Sequence, residues 1–313
     1  MPAARWTIDD IPDLHGRVIV VTGANSGLGL HTTRALVGHG AHVIMACRSM
    51  DKAKRAAESI AGNGGRGRAE PWSLDLASLA SIEAFAERFE GEHEALHALC
   101  NNAGVMALPY KTTADGFEMQ LGTNHLGHFA LTGRLLPVLL ATPDSRVVTV
   151  SSLVHRTGQM NWDDLQSEQS YAKWKAYGQS KLANLLFAFE LQRRLEAAKA
   201  DTMSLASHPG YASTNLQAAG ARMMGSGWRE MVMNVGNRLF AQSAEMGALP
   251  SLYALTSDDV RGGDFIGPDG PVQMWGHPTR VEANATARDS ELAARLWGVS
   301  RELTGVRFDA LSN

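Results

Sequence analysis

The 313-residue sequence has little of what would mark several protein classes. Its two cysteines, Cys47 and Cys100, are too few for a disulfide framework or a cysteine metal cluster, and they favour a reducing, cytoplasmic setting. No run of about 18 apolar residues exists, so we expect neither a membrane span nor an N-terminal anchor. The sequence also lacks a basic block, and its net charge is −3. These properties argue against nucleic acid as a main partner.

What the sequence does contain is a regular alternation of short apolar runs and helical stretches. Apolar, β-branched runs predict strands buried in a parallel sheet at 17–22, 42–47, 69–74, 96–100, 146–150, 202–207 and 262–267. Helical stretches lie between them, with long ones expected at 116–141 and 177–197 and a closing one at 291–303. We therefore expect one doubly wound, Rossmann-type α/β domain over 1–313, with a seven-stranded parallel sheet, an N-terminal extension at 1–16 and a C-terminal extension at 268–313. In such a sheet, ligands bind at the carboxyl ends of the strands.

A glycine-rich turn follows the first predicted strand and opens a helix. Glycines allow a sharp turn and let a pyrophosphate approach the free amides at the helix N-terminus. The alternative is an ordinary strand-to-helix turn. The expected dinucleotide contacts here are Gly23, Asn25, Ser26, Gly27, Leu28 and Gly29.

The ends of the second and third strands bear on the choice of dinucleotide. An acidic residue near the end of the second strand would select NAD, but the sequence has Cys47 and Arg48 there. A guanidinium suits a 2′-phosphate and predicts NADP (NADPH), unless Arg48 is a plain surface residue. Asp75, after the third strand, is expected either to accept from the adenine amino group or to cap the following helix.

Tyr177 and Lys181 are four residues apart, one turn from each other on the same helix face. A nearby ammonium favours the phenolate, so we expect the pKa of Tyr177 to lie below its usual value near 10. Such a phenol can exchange a proton with an alkoxide formed by hydride transfer. The pair alone is weak evidence for a catalytic site, because an aromatic and a charged residue on an amphipathic helix give the same pattern.

His125 and His128 have a spacing that some metal sites use, but no third ligand is evident, and we expect no metal site.

The motifs together resemble the short-chain dehydrogenase/reductase family over 16–267. Residues 22–29 match its cofactor loop, Asn101-Asn102-Ala103-Gly104 its sheet-stabilising motif, and Tyr177 with Lys181 its catalytic pair. The resemblance implies that Ser152 binds the substrate oxygen and that Asn124 completes a proton relay through water. It further implies cofactor contacts from Asp75, Leu76, Asn101, Ala103, Gly104, Tyr177, Lys181, Pro209, Gly210 and Thr214.

Three features look most similar to the retinol-dehydrogenase-like branch, which is related to protochlorophyllide reductases and includes uncharacterised bacterial members. They are Met45-Ala46-Cys47-Arg48, the long interval between Ser152 and Tyr177, and the run at 173–177. The resemblance implies an NADP-dependent oxidoreductase that transfers a hydride between nicotinamide and an alcohol/carbonyl pair, with Tyr177 as general acid/base. The alternative is a non-catalytic, dinucleotide-sensing regulator on the same fold. A homodimer is left open.

The segment 212–246, after the sixth strand, is rich in methionine, glycine and large apolar residues. One interpretation is a helix pair that packs against the sheet or a partner subunit, and the other is a mobile lid over a lipophilic substrate. Its glycines weaken helix propensity and favour the lid. We therefore expect a lipophilic aldehyde, ketone or alcohol as substrate.

Overall fold

The computed structural model describes residues 5–62, 64–211 and 242–311. Its strands are β1 (Val18–Thr22), β2 (His42–Cys47), β3 (Arg68–Ser73), β4 (Ala98–Asn101), β5 (Arg146–Val150), β6 (Met203–Ser207), β7 (Phe265–Pro268) and β8 (Pro278–Arg280). They form one sheet in the order β3-β2-β1-β4-β5-β6-β7-β8. The order reverses between β1 and β4, so the expected doubly wound fold is confirmed, and the carboxyl ends of these two strands flank the usual ligand crevice.

The sheet has one strand more than the seven that the sequence predicts. Strands β1 to β7 are parallel, whereas β8 pairs antiparallel with β7. The connection between them turns back through Asp269, whose backbone N–H donates to the His277 carbonyl and whose side chain accepts from the His277 N–H. With only three residues at an edge of the sheet, β8 carries no apolar run that the sequence could reveal.

The helices are α1 (Gly27–Gly38), α2 (Met50–Ala61), α3 (Leu79–Glu92), α4 (Met119–Leu121), α5 (Gly127–Ala141), α6 (Lys173–Ala197), α7 (Ala244–Thr256), α8 (Ala285–Arg288) and α9 (Ser290–Thr304). The single helix expected at 116–141 is divided, because a π-helical turn, Gly122–Leu126, joins α4 to α5. Gly127 ends this turn close to the sheet, and a Cβ there would lie 2.4 Å from the carbonyl oxygen of Leu76. Such π-turns are frequent at functional sites.

Apolar layers cover both faces of the sheet. One face packs against α1, α2 and α7, and the other against α3, α5 and α6. The closing helix α9 lies against α6, and its Trp297 contacts Phe129 and Phe187, with ring centroids 5.1 and 5.9 Å apart. Burial on all sides fixes α6, the helix that carries the tyrosine–lysine pair.

No helix within the described ranges has the length and apolar character needed to cross a membrane. Residues 212–241 of the predicted lid, with Thr214, lie outside the described residues. At the end of that segment, Gln242 donates from its side chain to the Pro209 carbonyl oxygen at 2.7 Å, and α7 begins two residues later.

Candidate active site

The predicted site residues converge on the carboxyl edge of the sheet. Gly23 follows β1, Asn101 ends β4, Ser152 follows β5 and Pro209 follows β6. Helix α6 passes this edge at Tyr177, so residues far apart in the chain face one crevice.

Tyr177 and Lys181 lie one turn apart on α6, as expected, and both are almost completely buried. The Lys181 ammonium is 5.9 Å from the Tyr177 ring centroid. Its Nζ also donates to the Val150 carbonyl oxygen at 3.1 Å, an acceptor that Asn184 shares. The ammonium is therefore anchored at the end of β5 and can still donate from its remaining hydrogens.

The acidities of this pair differ from the sequence expectation. Burial raises the pKa of Tyr177 to about 12, and its hydrogen bond with Ser152 acts in the opposite direction. Burial lowers the pKa of Lys181 to about 8. The expected depression of the Tyr177 pKa is thus wrong for the protein without cofactor, because removal from water disfavours both charged forms. At neutral pH the phenol keeps its proton and the amine is mostly charged.

Ser152 begins a short 3₁₀ turn, Leu153–Thr157, and its Oγ accepts from the Val154 N–H at 3.3 Å. Its hydroxyl also faces the Tyr177 hydroxyl and acts to lower the pKa of that phenol. A substrate oxygen bound between these two hydroxyls would meet two donors, the geometry that stabilises a developing alkoxide.

The Asn124 side chain is fully engaged within the protein. Its Oδ1 accepts from the Val105 N–H at 2.7 Å, and its Nδ2 donates to the Val105 carbonyl oxygen and to Ser180 Oγ, both at 2.9 Å. These bonds use both amide hydrogens, so the side chain holds the loop after β4 to α6. The main-chain carbonyl of Asn124, which accepts from His128 Nδ1 at 2.9 Å, is the group that a water relay of the kind implied by the resemblance would use.

The loop after β4 is fastened to the end of β1 by Thr22. The Thr22 hydroxyl accepts from the N–H groups of Asn102 and Ala103, both at 2.9 Å, and the Asn102 side chain donates to the Thr22 carbonyl at 2.7 Å. Asn101 ties β4 to Thr132 of α5 at 3.0 Å. Gly104 completes the loop, and a Cβ there would lie only 3.1 Å from Asn124 Oδ1.

The glycine loop fits the pyrophosphate of a dinucleotide. A Cβ on Gly29 would lie 2.5 Å from the Gly23 carbonyl oxygen, so the loop packs directly on the first turn of α1. Gly23 and Gly27 have φ of +67° and +53°. Ser26 is the N-cap of α1 and makes no side-chain capping bond, which leaves first-turn amides of α1 for an anion. Asn25 lies in the same loop, and Leu28 lies in the first turn of α1.

Of the residues expected at the adenosine end, Arg48 and Asp75 are accessible to a ligand and Leu76 is buried. Arg48 is exposed at the end of β2. Asp75 accepts from the Ala77 N–H through Oδ1, while Ser78 is the N-cap of α3. The alternative role of Asp75 as the cap of that helix is therefore excluded. Leu76 is buried beside it.

The segment after β6 is shaped by Gly210. Its φ is +62°, and a Cβ would lie 2.4 Å from the Met274 carbonyl oxygen. Pro209 and Gly210 are only half-buried, at the same edge as Ser152. Thr214, the third residue expected here, lies outside the described residues.

Sequence reasoning missed two residues at the centre of these bonds. The sequence predicts Thr22 as the last residue of a strand and the first of the cofactor loop, and it assigns no role to the hydroxyl, although Thr22 is a polar residue closing an apolar run. The sequence favours a structural or surface role for His128 over a metal ligand, but it does not reveal the bond to Thr22, although His128 lies one helical turn after Asn124. Among the described residues, no group of three or more His, Cys, Asp or Glu side chains could hold a metal ion.

A crevice at the carboxyl edge of a doubly wound sheet, beside the buried Tyr177 and Lys181 and the half-buried Ser152, is typical of a nicotinamide-dependent oxidoreductase. The sequence profile of the short chain dehydrogenase family matches residues 17–224. The chain therefore belongs to the short-chain dehydrogenase family.

Known proteins similar to this chain include retinol dehydrogenases. Human retinol dehydrogenase 12 is 40% identical over 298 residues, covering 95% of this chain and 89% of that protein. Among solved structures, an uncharacterised protein from Mycobacterium paratuberculosis has a TM-score of 0.80 and 42% identity, covering 97% of this chain and 99% of that one. A protein described as an NAD(P)-dependent gluconate 5-dehydrogenase from Beutenbergia cavernae, crystallised with NADP, has a TM-score of 0.63 and 27% identity, covering 81% and 95%. The similarity to retinol dehydrogenases supports the branch that the sequence resembles.

Proposed function

We propose that the protein is an NADP-dependent oxidoreductase that interconverts a lipophilic alcohol and its aldehyde or ketone, with Tyr177 as general acid/base. The observation that carries this proposal is that the buried Lys181 ammonium lies 5.9 Å from the ring of the buried Tyr177, whose hydroxyl faces Ser152. A regulator that only senses a dinucleotide has no use for this costly buried arrangement.

In the reducing direction, the roles follow from the positions of the side chains. Ser152 holds the substrate oxygen, and the Tyr177 hydroxyl gives it a proton as negative charge develops. A nicotinamide bound at this edge of the sheet would supply the hydride. The raised pKa of Tyr177 keeps the phenol protonated at neutral pH, as an acid requires. The Lys181 ammonium favours the phenolate left after proton transfer, and the Asn124 carbonyl is placed to hold a water that returns the proton.

In the oxidising direction, Tyr177 must first lose its proton. The pKa of about 12 opposes this step in the protein without cofactor, so the charge of Lys181 is needed to lower the cost. We therefore propose that loss of the Lys181 charge slows oxidation, and reduction with it, because both directions pass through the same transition state.

The lipophilic substrate is supported by the surroundings of Tyr177. Trp174, one turn earlier on α6, is 51% exposed, and its ring meets the Tyr177 ring edge-on at 6.2 Å. Tyr110 is 42% exposed and packs on Tyr171 at 5.2 Å. Exposed aromatic rings are suited to an apolar ligand. The similar proteins named retinol dehydrogenases agree with such a substrate.

The choice of NADP is supported by Arg48. Its exposed guanidinium, with no carboxylate at the corresponding end of β2, suits a 2′-phosphate. The single-domain organisation, with its extensions at 1–16 and 268–313 and its lid at 212–246, stays part of this proposal.

The test compares Tyr177→Phe with the unchanged protein. NADPH consumption is followed against a panel of long-chain, aromatic and short charged aldehydes, ketones and quinones. We expect turnover of the lipophilic members and a loss of at least ~100-fold in Tyr177→Phe, with NADPH affinity unchanged. Near-normal turnover in Tyr177→Phe would refute the role of the phenol. A preference for short charged substrates would refute the substrate class alone.

A further inference from the structure

Two buried histidines sit three residues apart near the π-helical turn, and their partners differ. His125 and His128 are each 1% exposed. His125 points away from the site, where its Nε2 meets Ser300 Oγ of α9 at 2.8 Å and its ring packs near Phe129 and Phe187. His128 points toward the site, and both of its ring nitrogens have partners there.

The partners of His128 determine where its proton lies. Its Nδ1 is 2.9 Å from the main-chain oxygen of Asn124, which can only accept, so Nδ1 carries the hydrogen. Its Nε2 is 2.9 Å from Thr22 Oγ1, an oxygen that already accepts from Asn102 and Ala103. With both lone pairs used, the Thr22 hydroxyl has only its hydrogen to offer, and His128 Nε2 at 2.9 Å is a closer acceptor than the Cys100 carbonyl oxygen at 3.3 Å. Nε2 therefore accepts, as a neutral imidazole nitrogen does.

The surroundings also oppose a charged imidazole. Burial and the Lys181 ammonium lower the pKa of His128 to about 4, against the opposing effect of the bond to Asn124. His125, buried on the neighbouring turn, has its own pKa lowered to about 3 by burial and by His128. Protonation of Nε2 would place two hydrogens between His128 and Thr22. The lowered pKa and the hydrogen-bond geometry therefore both favour the neutral imidazole with its hydrogen on Nδ1.

We propose that His128 is a positioning residue, which as an Nδ1–H imidazole holds the Asn124 carbonyl and the loop 102–104 in register with Tyr177 and Lys181. It joins three parts of the site: the end of β1 through Thr22, the loop after β4 through the same hydroxyl, and the π-helical turn through Asn124. The role rests on the proposed function, because the Asn124 carbonyl matters only if a proton is relayed.

The first test needs neither cofactor nor substrate. Two-bond ¹⁵N–¹H correlation spectra of the cofactor-free protein, with His128→Phe used to assign the signals, report the tautomer of each ring. We expect the Nδ1–H form of His128 at pH 7, still neutral at pH 5. An Nε2–H tautomer, or an imidazolium at pH 5, would overturn the proposal.

The second test separates positioning from packing by comparing matched variants. His128→Phe should lower kcat at least about tenfold, since displaced groups lose much of their effect on rate, while KM and NADPH affinity stay within about twofold. His128→Asn, whose amide lies near the Nδ1 position, should recover most of kcat, and His128→Gln should not. His125→Phe should lower the melting temperature and leave kcat unchanged.

Equal kcat values in His128→Phe and His125→Phe, with Tyr177→Phe inactive, would overturn the proposal and leave the function standing. An active Tyr177→Phe would instead remove the proposed function. The tautomer measurement decides the placement of the proton in either case.

Discussion

The buried neutral histidines predict that the fold loses stability on the acid side of neutrality. His125, His128 and His208 are each at most 1% exposed. Burial lowers their pKa values from 6.5 to about 3, 4 and 3. Below pH 6.5 the unfolded chain binds protons that the folded chain does not, so the free energy of unfolding falls until the pH reaches the folded pKa.

The size of this effect follows from the pKa differences. Between pH 7 and pH 5, one histidine with a folded pKa near 3 or 4 removes about 2 kcal/mol from the free energy of unfolding. Three independent histidines would remove about 6 kcal/mol, which is comparable with the whole net stability of a typical domain. His125 and His128 influence each other, so we expect somewhat less than this sum.

Urea unfolding at pH 7 and pH 5, followed by circular dichroism, measures the loss in the unchanged protein and in His125→Gln. The variant cannot titrate at this position, and its pH 7 to pH 5 difference should be smaller by about 2 kcal/mol. Ser300→Ala is the matched control, because it removes the hydrogen-bond partner of His125 and leaves the imidazole. It should be less stable at both pH values with the original difference. An unchanged difference in His125→Gln would refute the reasoning.

Three further predictions concern the cofactor, the substrate and the backbone. Arg48→Ala should weaken NADPH binding roughly 10- to 100-fold and leave NADH binding unchanged in fluorescence titrations, because only NADPH carries the 2′-phosphate. Equal weakening of NADPH and NADH binding would contradict this prediction. Trp174→Ala should raise KM about tenfold for flat lipophilic aldehydes, with kcat and NADPH affinity unchanged, and Trp174→Phe should keep most of the affinity for these aldehydes. An equal rise in KM for short aliphatic aldehydes would speak against a stacking role. Gly210→Ala should destabilise the fold by at least about 1 kcal/mol in urea, since φ is +62° and the methyl meets the Met274 carbonyl. Gly91→Ala, on α3 with no atom within 4 Å of its Cβ, should stabilise by up to about 1 kcal/mol.

The order of elements and the location of the site could be predicted from the sequence. Strands such as Val18–Thr22 are apolar and β-branched because they are buried on both faces, and this pattern needs no tertiary information. The glycine loop and the Tyr177–Lys181 pair depend on local spacing, so they could also be predicted from the sequence. Since parallel strands end at one edge, even the convergence of Asn101, Ser152 and Pro209 followed from the order of the elements.

What depends on contacts between distant segments could not be predicted in this way. The acidity of Tyr177 was expected from its neighbour Lys181, but it is set by burial under other elements. The eighth strand is held by pairing with β7, and its three residues carry no pattern of their own. The bonds of Thr22 to Asn102 and Ala103 join residues 80 and 81 positions apart in the sequence, and the bond of Thr22 to His128 joins residues 106 positions apart. Which elements form and where the ligand crevice lies could be predicted from the sequence, because burial patterns and turns are local. The protonation of the site depends on the complete fold, because solvation and hydrogen-bond partners come from distant segments.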